Sequence, residues 1–177
     1  MLHGSVQGGM DLSIVNHLFV TARFVVKGTA RTGDLRLSSF LNAARRPWLP
    51  IDHVTFSDLV TGEKIAARRA MLRLADVLFA HEFLDLAGDP VRKKLAQGQA
   101  PDFRMVSSYF RPPSRLEMVG RVRRESLDPA GSDDFFVVVE PLLRGIDEAQ
   151  KGELEALKNL PYAIVQRSQL HGYFEYE

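Results

Sequence analysis

Residues 72–83 have the sequence LRLADVLFAHEF, and residues 165–176 have the sequence VQRSQLHGYFEY. Each stretch has strand-forming residues on both sides of a short turn, at Ala75–Asp76 in the first and at Arg167–Gln169 in the second. At an offset of 93 residues, the matched pairs are Leu72 with Val165, Val77 with Leu170, Glu82 with Glu175 and Phe83 with Tyr176. Both halves of the chain are therefore predicted to end in the same strand–turn–strand unit.

The beginnings of the two halves also agree, at an offset of 92 residues. These pairs are Phe24 with Leu116, Val26 with Met118 and Gly28 with Gly120. Two nearby offsets predict a tandem duplication. The middles differ, because the first half has a helix-like segment ending near Ala44 and the second has one from Asp147 to about Asn159. We predict an α+β fold, mostly antiparallel β, built from two small bent-sheet or barrel units that each carry a short helix.

Composition sets the predicted domain boundaries. Residues 1–12 are rich in glycine and small polar residues and are predicted to be a flexible leader. The first β-rich domain is predicted over residues 13–88 and the second over residues 103–177. Residues 89–102 are predicted to be a connector with a short helix and a linker. Within the first domain, Leu18–Arg31 alternates without a turn signal and is predicted to be one strand.

The charge balance and the lack of cysteine limit the function. The 177 residues include 23 Lys and Arg, 22 Asp and Glu and no cysteine, for a formal net charge of +1. This balance argues against a protein dominated by phosphate contacts. Without cysteine there are no disulfides, thiol nucleophiles or thiolate metal sites. The sequence shows neither a long apolar run nor a signal peptide, so we expect a cytoplasmic protein that makes no membrane contact.

Two stretches resemble known families. Residues 33–42 (GDLRLSSFLN) and 46–54 (RPWLPIDHV) resemble an uncharacterised bacterial domain family with an RLSDFLN-type motif, a domain of unknown function. Ser39 stands where that family has Asp, and Asp52–His53 stands where it has Thr–Asp. The resemblance implies a compact β-rich module and no activity. The last hairpin, with Arg167–Gln169 in its turn, is similar to that of Sm-like barrels, in which a polar turn residue contacts RNA.

The sequence contains no recognisable catalytic motif. Its five histidines lack metal-ligand spacing, and there is no serine-hydrolase elbow or nucleotide-binding glycine loop. We predict that the protein is not an enzyme and uses no cofactor or metal. A small hydrolase or metalloenzyme would require His53 or His81 to be buried beside carboxylates.

The preferred interpretation is a non-catalytic bacterial interaction or regulatory module. Its candidate contact is Trp48, which Pro47 and Pro50 hold in extended backbone. We expect Trp48 to be buried against the short helix; an exposed Trp48 would instead be a partner-binding hot spot. The partner is unknown, and free strand edges favour self-association as a homodimer or other homo-oligomer.

The alternative is binding of RNA or single-stranded nucleic acid through an arginine-bearing β-surface. Arg121 and Arg123 are predicted to share one strand face, and Arg167 and Gln169 lie in the last hairpin turn. A sheet surface that combines arginine with aromatic residues holds single strands by charge and stacking.

Overall fold

The computed structural model describes residues 16–83, 102–128, 130–131, 133–145 and 157–176. The one α-helix in these ranges is α1 (Leu37–Ala43), and short 3₁₀ turns lie at Leu74–Asp76, Arg124–Leu127 and Arg167–Gln169. The strands are β1 (His17–Thr21), β2 (Phe24–Ala30), β3 (Trp48–Asp58), β4 (Lys64–Arg73), β5 (Val77–Glu82), β6 (Phe103–Phe110), β7 (Glu117–Arg123), β8 (Phe135–Arg144), β9 (Tyr162–Gln166) and β10 (Leu170–Glu175).

All ten strands form one antiparallel sheet in the order β10-β6-β7-β8-β9-β5-β1-β2-β3-β4. The order β5-β1-β2-β3-β4 of the first five strands recurs as β10-β6-β7-β8-β9 in the last five. The two sets meet where β5 pairs with β9, with Phe79 opposite Val165 and Ala80 opposite Ile164. This central pairing, named the β5–β9 junction below, makes the sheet continuous.

The predicted α+β fold of two small units, each with a helix, is wrong. The protein is mostly antiparallel β in a single open sheet, and both of its hydrophobic clusters draw residues from both halves. Phe79 packs in one cluster with Met118, and Phe19 packs in the other with Ile164. Because the cores are shared, neither half is a self-contained unit. Between β7 and β8 the described chain forms the 3₁₀ turn Arg124–Leu127, where the first half has α1.

Several predicted elements fall wholly or mostly outside the described residues. These are the leader (1–12), the connector (89–102) and the second helix, of which only residues 157–159 are described, as a turn. The strand predicted over Leu18–Arg31 is two strands. They are joined at a turn in which the Thr21 Oγ1 accepts the backbone N–H of Phe24 at 2.8 Å.

The helix α1 is fixed to the second half of the chain by Asn42. Its side-chain Nδ2 donates to the Phe135 carbonyl at 2.9 Å, and its Oδ1 accepts the Phe135 N–H at 2.8 Å. Leu37 and Leu41, one turn apart on the helix, are buried in the core. The segment GDLRLSSFLN therefore carries the residues that attach α1 to β8 and to the sheet.

Gly28 lets β3 cross closely over β2. It lies at the register shift between these strands, and a Cβ there would be 2.4 Å from the Ile51 Cγ2 and 3.0 Å from the Asp52 carbonyl oxygen. The facing strand bulges at His53, whose φ of 50° is in the left-handed region. A bulge of this kind bends its strand and increases the local twist.

Gly120 occupies the same environment in the second half. Its Cβ would be 2.4 Å from the Val138 Cγ1 and 3.1 Å from the Val139 carbonyl oxygen, and Glu140 on the facing strand has a φ of 51°. The pair Gly28 and Gly120 thus shares its close approach and its bulge, as well as its place in the sequence repeat.

We expect Gly28→Ala and Gly120→Ala each to lower the free energy of unfolding by about 1–3 kcal/mol, the usual cost of overpacking. The added methyl would overlap a β-branched side chain and press on a backbone carbonyl. Urea denaturation measures the change. Gly172→Ala is the matched control, because its Cβ would meet nothing within 4 Å, and it should stay within about 0.5 kcal/mol of the native protein. Equal destabilisation by all three variants would contradict this explanation.

Candidate functional site

Trp48 is half exposed at the start of β3. Trp48 has a solvent accessibility of 49%, and it lies opposite Arg73 of β4. The expectation that Trp48 is buried against α1 is wrong. Neighbouring strand residues face opposite sides, and the adjacent Leu49, 3% accessible, takes the core position. This places the indole on the outside of the sheet, as the partner-contact interpretation requires.

Trp48 lines an open cleft of about 510 Å³, called the Trp48 cleft below. Its walls come from strands β1 to β5, from the 3₁₀ turns at Asp76 and Gln169, and from the loop that follows β6 at Arg111–Pro113. Phe24 and Phe56, which also line it, meet edge to face with ring centroids 5.8 Å apart. The cleft therefore presents aromatic surface from two neighbouring strands.

Arg23 is held firmly at one side of the cleft. Its guanidinium lies 2.8 Å from the Asp58 carboxylate and 5.2 Å from the centre of the Phe24 ring. The Val60 backbone N–H, together with Arg23, holds the pKa of Asp58 below its usual value, against the opposing effect of burial. The charge of Arg23 is thus largely compensated within the protein.

Arg73 and Arg111 bring further positive charge to the cleft. Arg73 lies 3.9 Å from Asp76, and both side chains are more than half exposed. Arg111 donates its Nε to the Leu170 carbonyl at 3.1 Å, and no carboxylate in the described part of the chain lies within 4.0 Å of it. Arg111 therefore fixes a guanidinium beside the aromatic surface without a local counter-charge.

The predicted nucleic-acid residues of β7 are paired with carboxylates. Arg121 and Arg123 both lie on the half-exposed face of the strand. Arg121 forms an ion pair with Glu140, and Arg123 forms one with Glu125 at 3.3 Å. A phosphate would have to compete with these partners.

The two turn residues of that prediction hold the fold together. Arg167 donates to the Ser126 carbonyl at 2.8 Å and lies 5.4 Å from the centre of the Phe136 ring. Gln169 donates its Nε2 to the Ala75 carbonyl, in the turn that precedes β5. The pair thus links the 3₁₀ turn before β10 to its own half and to the other half.

The two histidines of the hydrolase interpretation differ in environment. His53 is exposed, and the carboxylate of the adjacent Asp52 forms ion pairs with Arg31 at 2.8 Å and with Arg69 at 2.6 Å. His81 is buried, and its Nδ1 is 2.9 Å from the Tyr162 carbonyl. Its ring lies 4.8 Å from the Tyr162 ring, so His81 belongs to the contacts between β5 and β9. His53 does not meet the requirement of burial.

A second cleft, of about 550 Å³, lies beside the buried His17. The Nδ1 of His17 accepts the Ala30 backbone N–H at 3.0 Å, so the neutral ring carries its proton on Nε2. Burial lowers the pKa of His17, and the nearby Glu82 carboxylate opposes this in part. Glu82 is itself paired with Arg36 at 3.1 Å. The fold therefore favours the neutral form of the His17 ring.

Sequence reasoning selected Trp48 and Gln169, which both line the cleft, but missed Phe56 and Arg111. Both reach the cleft through pairings that a single sequence does not display, since Phe56 depends on the register of β3 and Arg111 on the approach of the loop after β6. A weak signal existed at Arg111, which precedes the strand-breaking Pro112–Pro113.

No family model, curated protein or solved structure matches the chain. Within the described ranges, no helix has the length and apolar character needed to cross a bilayer, and no three His, Asp or Glu side chains gather as metal ligands would.

We expect the free energy of unfolding to fall as the pH is lowered from about 7 to about 5. The unfolded His17 takes up a proton near its ordinary pKa of about 6.5, whereas the folded state resists protonation, so the stabilisation present above that pH is lost below it. In His17→Asn, whose amide oxygen replaces the Nδ1 acceptor, the dependence on pH should be shallower.

Urea denaturation across this pH range measures the effect. His171→Asn, at an exposed position of β10, controls for the loss of a histidine and should follow the native protein. Parallel pH profiles for native protein and His17→Asn would disprove the assignment.

Proposed function

We propose that this protein is a non-catalytic interaction module that binds an extended acidic segment of a partner protein in the Trp48 cleft. The observation that carries the proposal is the half-exposed Trp48 in a cleft that also contains Arg111. Tryptophan and arginine are the residues most enriched in binding hot spots, where an aromatic anchor is surrounded by polar contacts.

The charge of the cleft favours an acidic partner. Arg23, Arg73 and Arg111 line it, and Asp76 is the one carboxylate among its described lining residues. Arg23 is paired with Asp58 and Arg73 lies 3.9 Å from Asp76, which leaves Arg111 as the lining guanidinium without a carboxylate partner among the described residues. A guanidinium binds a carboxylate through two parallel hydrogen bonds, which gives direction as well as affinity.

The absence of catalysis, the bacterial origin and the cytoplasmic location are parts of the same proposal. A chain without cysteine suits a reducing compartment, where disulfides are rare. We also propose a relationship to the bacterial family with the RLSDFLN-type motif. It is supported by Leu37, Leu41 and Asn42, since these matching positions are the ones that dock α1.

The alternative, RNA or single-stranded nucleic-acid binding, has less support. Arg121 and Arg123 are paired with carboxylates, and Arg167 and Gln169 donate to backbone carbonyls of the protein itself. Binding there would replace existing contacts rather than use free ones.

The test uses a peptide in which a phenylalanine is flanked by glutamates, together with the same peptide carrying lysines instead. Trp48 is the only tryptophan, so its fluorescence reports the cleft directly. We expect the acidic peptide to shift the emission and to bind more weakly as salt is raised. By calorimetry, Trp48→Ala should cost about 2 kcal/mol or more of binding free energy, and Arg111→Gln should weaken binding too.

Val60→Ala is the control, because Val60 is 77% exposed in the turn before β4 and does not line the cleft. Binding that survives Trp48→Ala would refute the site. Tight, salt-dependent binding of mixed oligonucleotides, with no binding of either peptide, would favour the alternative.

A further inference from the structure

The sheet ends in two strands, β4 and β10, that each pair with one neighbour among the described strands. Both strands are mostly exposed, and they present large apolar side chains: Ile65 at 60%, Met71 at 54% and Phe174 at 66% accessibility. In contrast, every residue of β5 and β9, which pair at the centre of the sheet, is buried. Long, exposed, apolar edges are templates for pairing with another chain.

The repeat relates these outer edges to the β5–β9 junction. At the offset of 93 residues, β5 corresponds to β10, and residues 71–72 of β4 correspond to residues 164–165 of β9. The central pair Ala80 and Ile164 thus corresponds to Tyr173 and Met71. The sheet thus contains at its centre the pairing of β5 with β9, and the corresponding strands β10 and β4 form its two outer edges.

The backbone of both edge strands is oriented for this pairing. The Leu74 N–H donates to the Pro47 carbonyl, and the Tyr176 N–H donates to the Met105 carbonyl, both at 2.9 Å. Because inward and outward hydrogen-bonding groups alternate along an antiparallel strand, those of Met71 and Tyr173 point away from the sheet. The two residues that the repeat places opposite each other are therefore both free to form a hydrogen-bonded pair.

The backbone groups at the β5–β9 junction have the corresponding orientation. The Phe83 N–H donates to the Asn16 carbonyl and the Glu140 N–H to the Pro161 carbonyl, which by alternation turns the groups of Ala80 and Ile164 toward each other. Outer and inner pairs thus agree in register and in orientation.

The charges of the two edges are complementary. β4 carries Lys64, Arg68, Arg69 and Arg73 and no carboxylate, whereas β10 has Glu175 as its one acidic residue and no Lys or Arg. In the register given by Met71 and Tyr173, Glu175, which lies 3.3 Å from Arg104 of its own copy, falls opposite Arg69, which is paired with Asp52. Two β4 edges paired with Met71 opposite Met71 would instead place Arg69 opposite Arg73.

We propose that the protein assembles head to tail, with β10 of one copy added antiparallel to β4 of the next, Tyr173 opposite Met71. Such a heterologous contact, unlike the two-fold pairing of a homodimer, uses different surfaces on the two copies and produces a closed ring or an open filament. The inference goes beyond the proposed peptide binding, since it uses the backbone edges of β4 and β10, although Met71 and Arg73 of β4 also line the Trp48 cleft.

Cysteine cross-linking of the full-length chain tests the register. The native sequence has no cysteine, so Met71→Cys and Tyr173→Cys each introduce a single thiol. Directly opposite residues of a hydrogen-bonded pair have Cα atoms about 5.5 Å apart, within disulfide range. Mixing the two variants under oxidising conditions should give a disulfide-linked dimer of Met71→Cys with Tyr173→Cys, separable by mass when one variant carries a tag.

The control replaces Met71→Cys with Ile65→Cys, on the same strand but six residues from the register position, and should give no mixed dimer. Disulfides between two copies of one variant would show two-fold pairing and overturn the proposal. So would the absence of cross-links, or a single species at the 19.9 kDa monomer mass by light scattering at high concentration.

A proline at Tyr173 tests the backbone contact independently. Its N–H faces outward, so Tyr173→Pro should leave the pairing of β10 with β6 intact while removing the intermolecular donor. The Tyr173 hydroxyl donates to the Leu127 carbonyl at 2.8 Å, and Tyr173→Phe, which loses only that bond, is the matched control. By light scattering, Tyr173→Pro should be monomeric and Tyr173→Phe assembled, with circular dichroism confirming the fold of both. Assembly of Tyr173→Pro would overturn the register.

The two proposals fail separately. Trp48→Ala should leave assembly unchanged, and Tyr173→Pro should still bind the acidic peptide, because Tyr173 does not line the cleft.

Discussion

The β5–β9 junction is the contact on which the rest of the protein depends. It joins ten strands into one sheet, and both hydrophobic clusters extend across it. Its backbone pairing is supported by polar contacts, since the Tyr162 hydroxyl donates to the Glu82 carbonyl and the His81 ring faces the Tyr162 carbonyl. Separating the halves would expose apolar residues on both sides and leave buried polar groups without partners, which is costly.

The local elements were well predicted where turn chemistry and alternation agree. The predicted breaks at Ala75–Asp76 and Arg167–Gln169 are 3₁₀ turns. The prediction of one strand over Leu18–Arg31 was wrong, because the turn after Thr21 depends on a side-chain hydroxyl and contains no glycine or proline. The prediction of the global fold was wrong for a different reason. Whether two similar segments form two units or one sheet depends on which strands pair, and alternation does not encode the partner.

The candidate site also combines features that the sequence predicts with features that depend on strand pairing. Trp48 was recognisable from its rarity and its flanking prolines, but its exposure follows from the register that gives Leu49 the core position. Arg121, chosen from a charge cluster, is paired, since Glu140 on the neighbouring strand β8 forms an ion pair with it. Arg111 is not part of a charge cluster in the sequence. Its charge is uncompensated because the described chain places no carboxylate within 4.0 Å of it. Clustering along a sequence is a poor guide to free charge on a sheet, where cross-strand neighbours decide it.

The basic edge strand can be explained in two ways that differ in consequence. Lysine and arginine on an edge protect a sheet against indiscriminate pairing, and β4 fits that description. Such protection is selective rather than complete, because like charges oppose a second β4 while the carboxylate of Glu175 is attracted. Outward backbone groups alone do not distinguish the two explanations, since they alternate along any edge strand, but at Met71 they fall on the position that corresponds to Ile164 at the centre of the sheet. Charge that excludes the wrong strand and a register that accepts the right one together specify a partner.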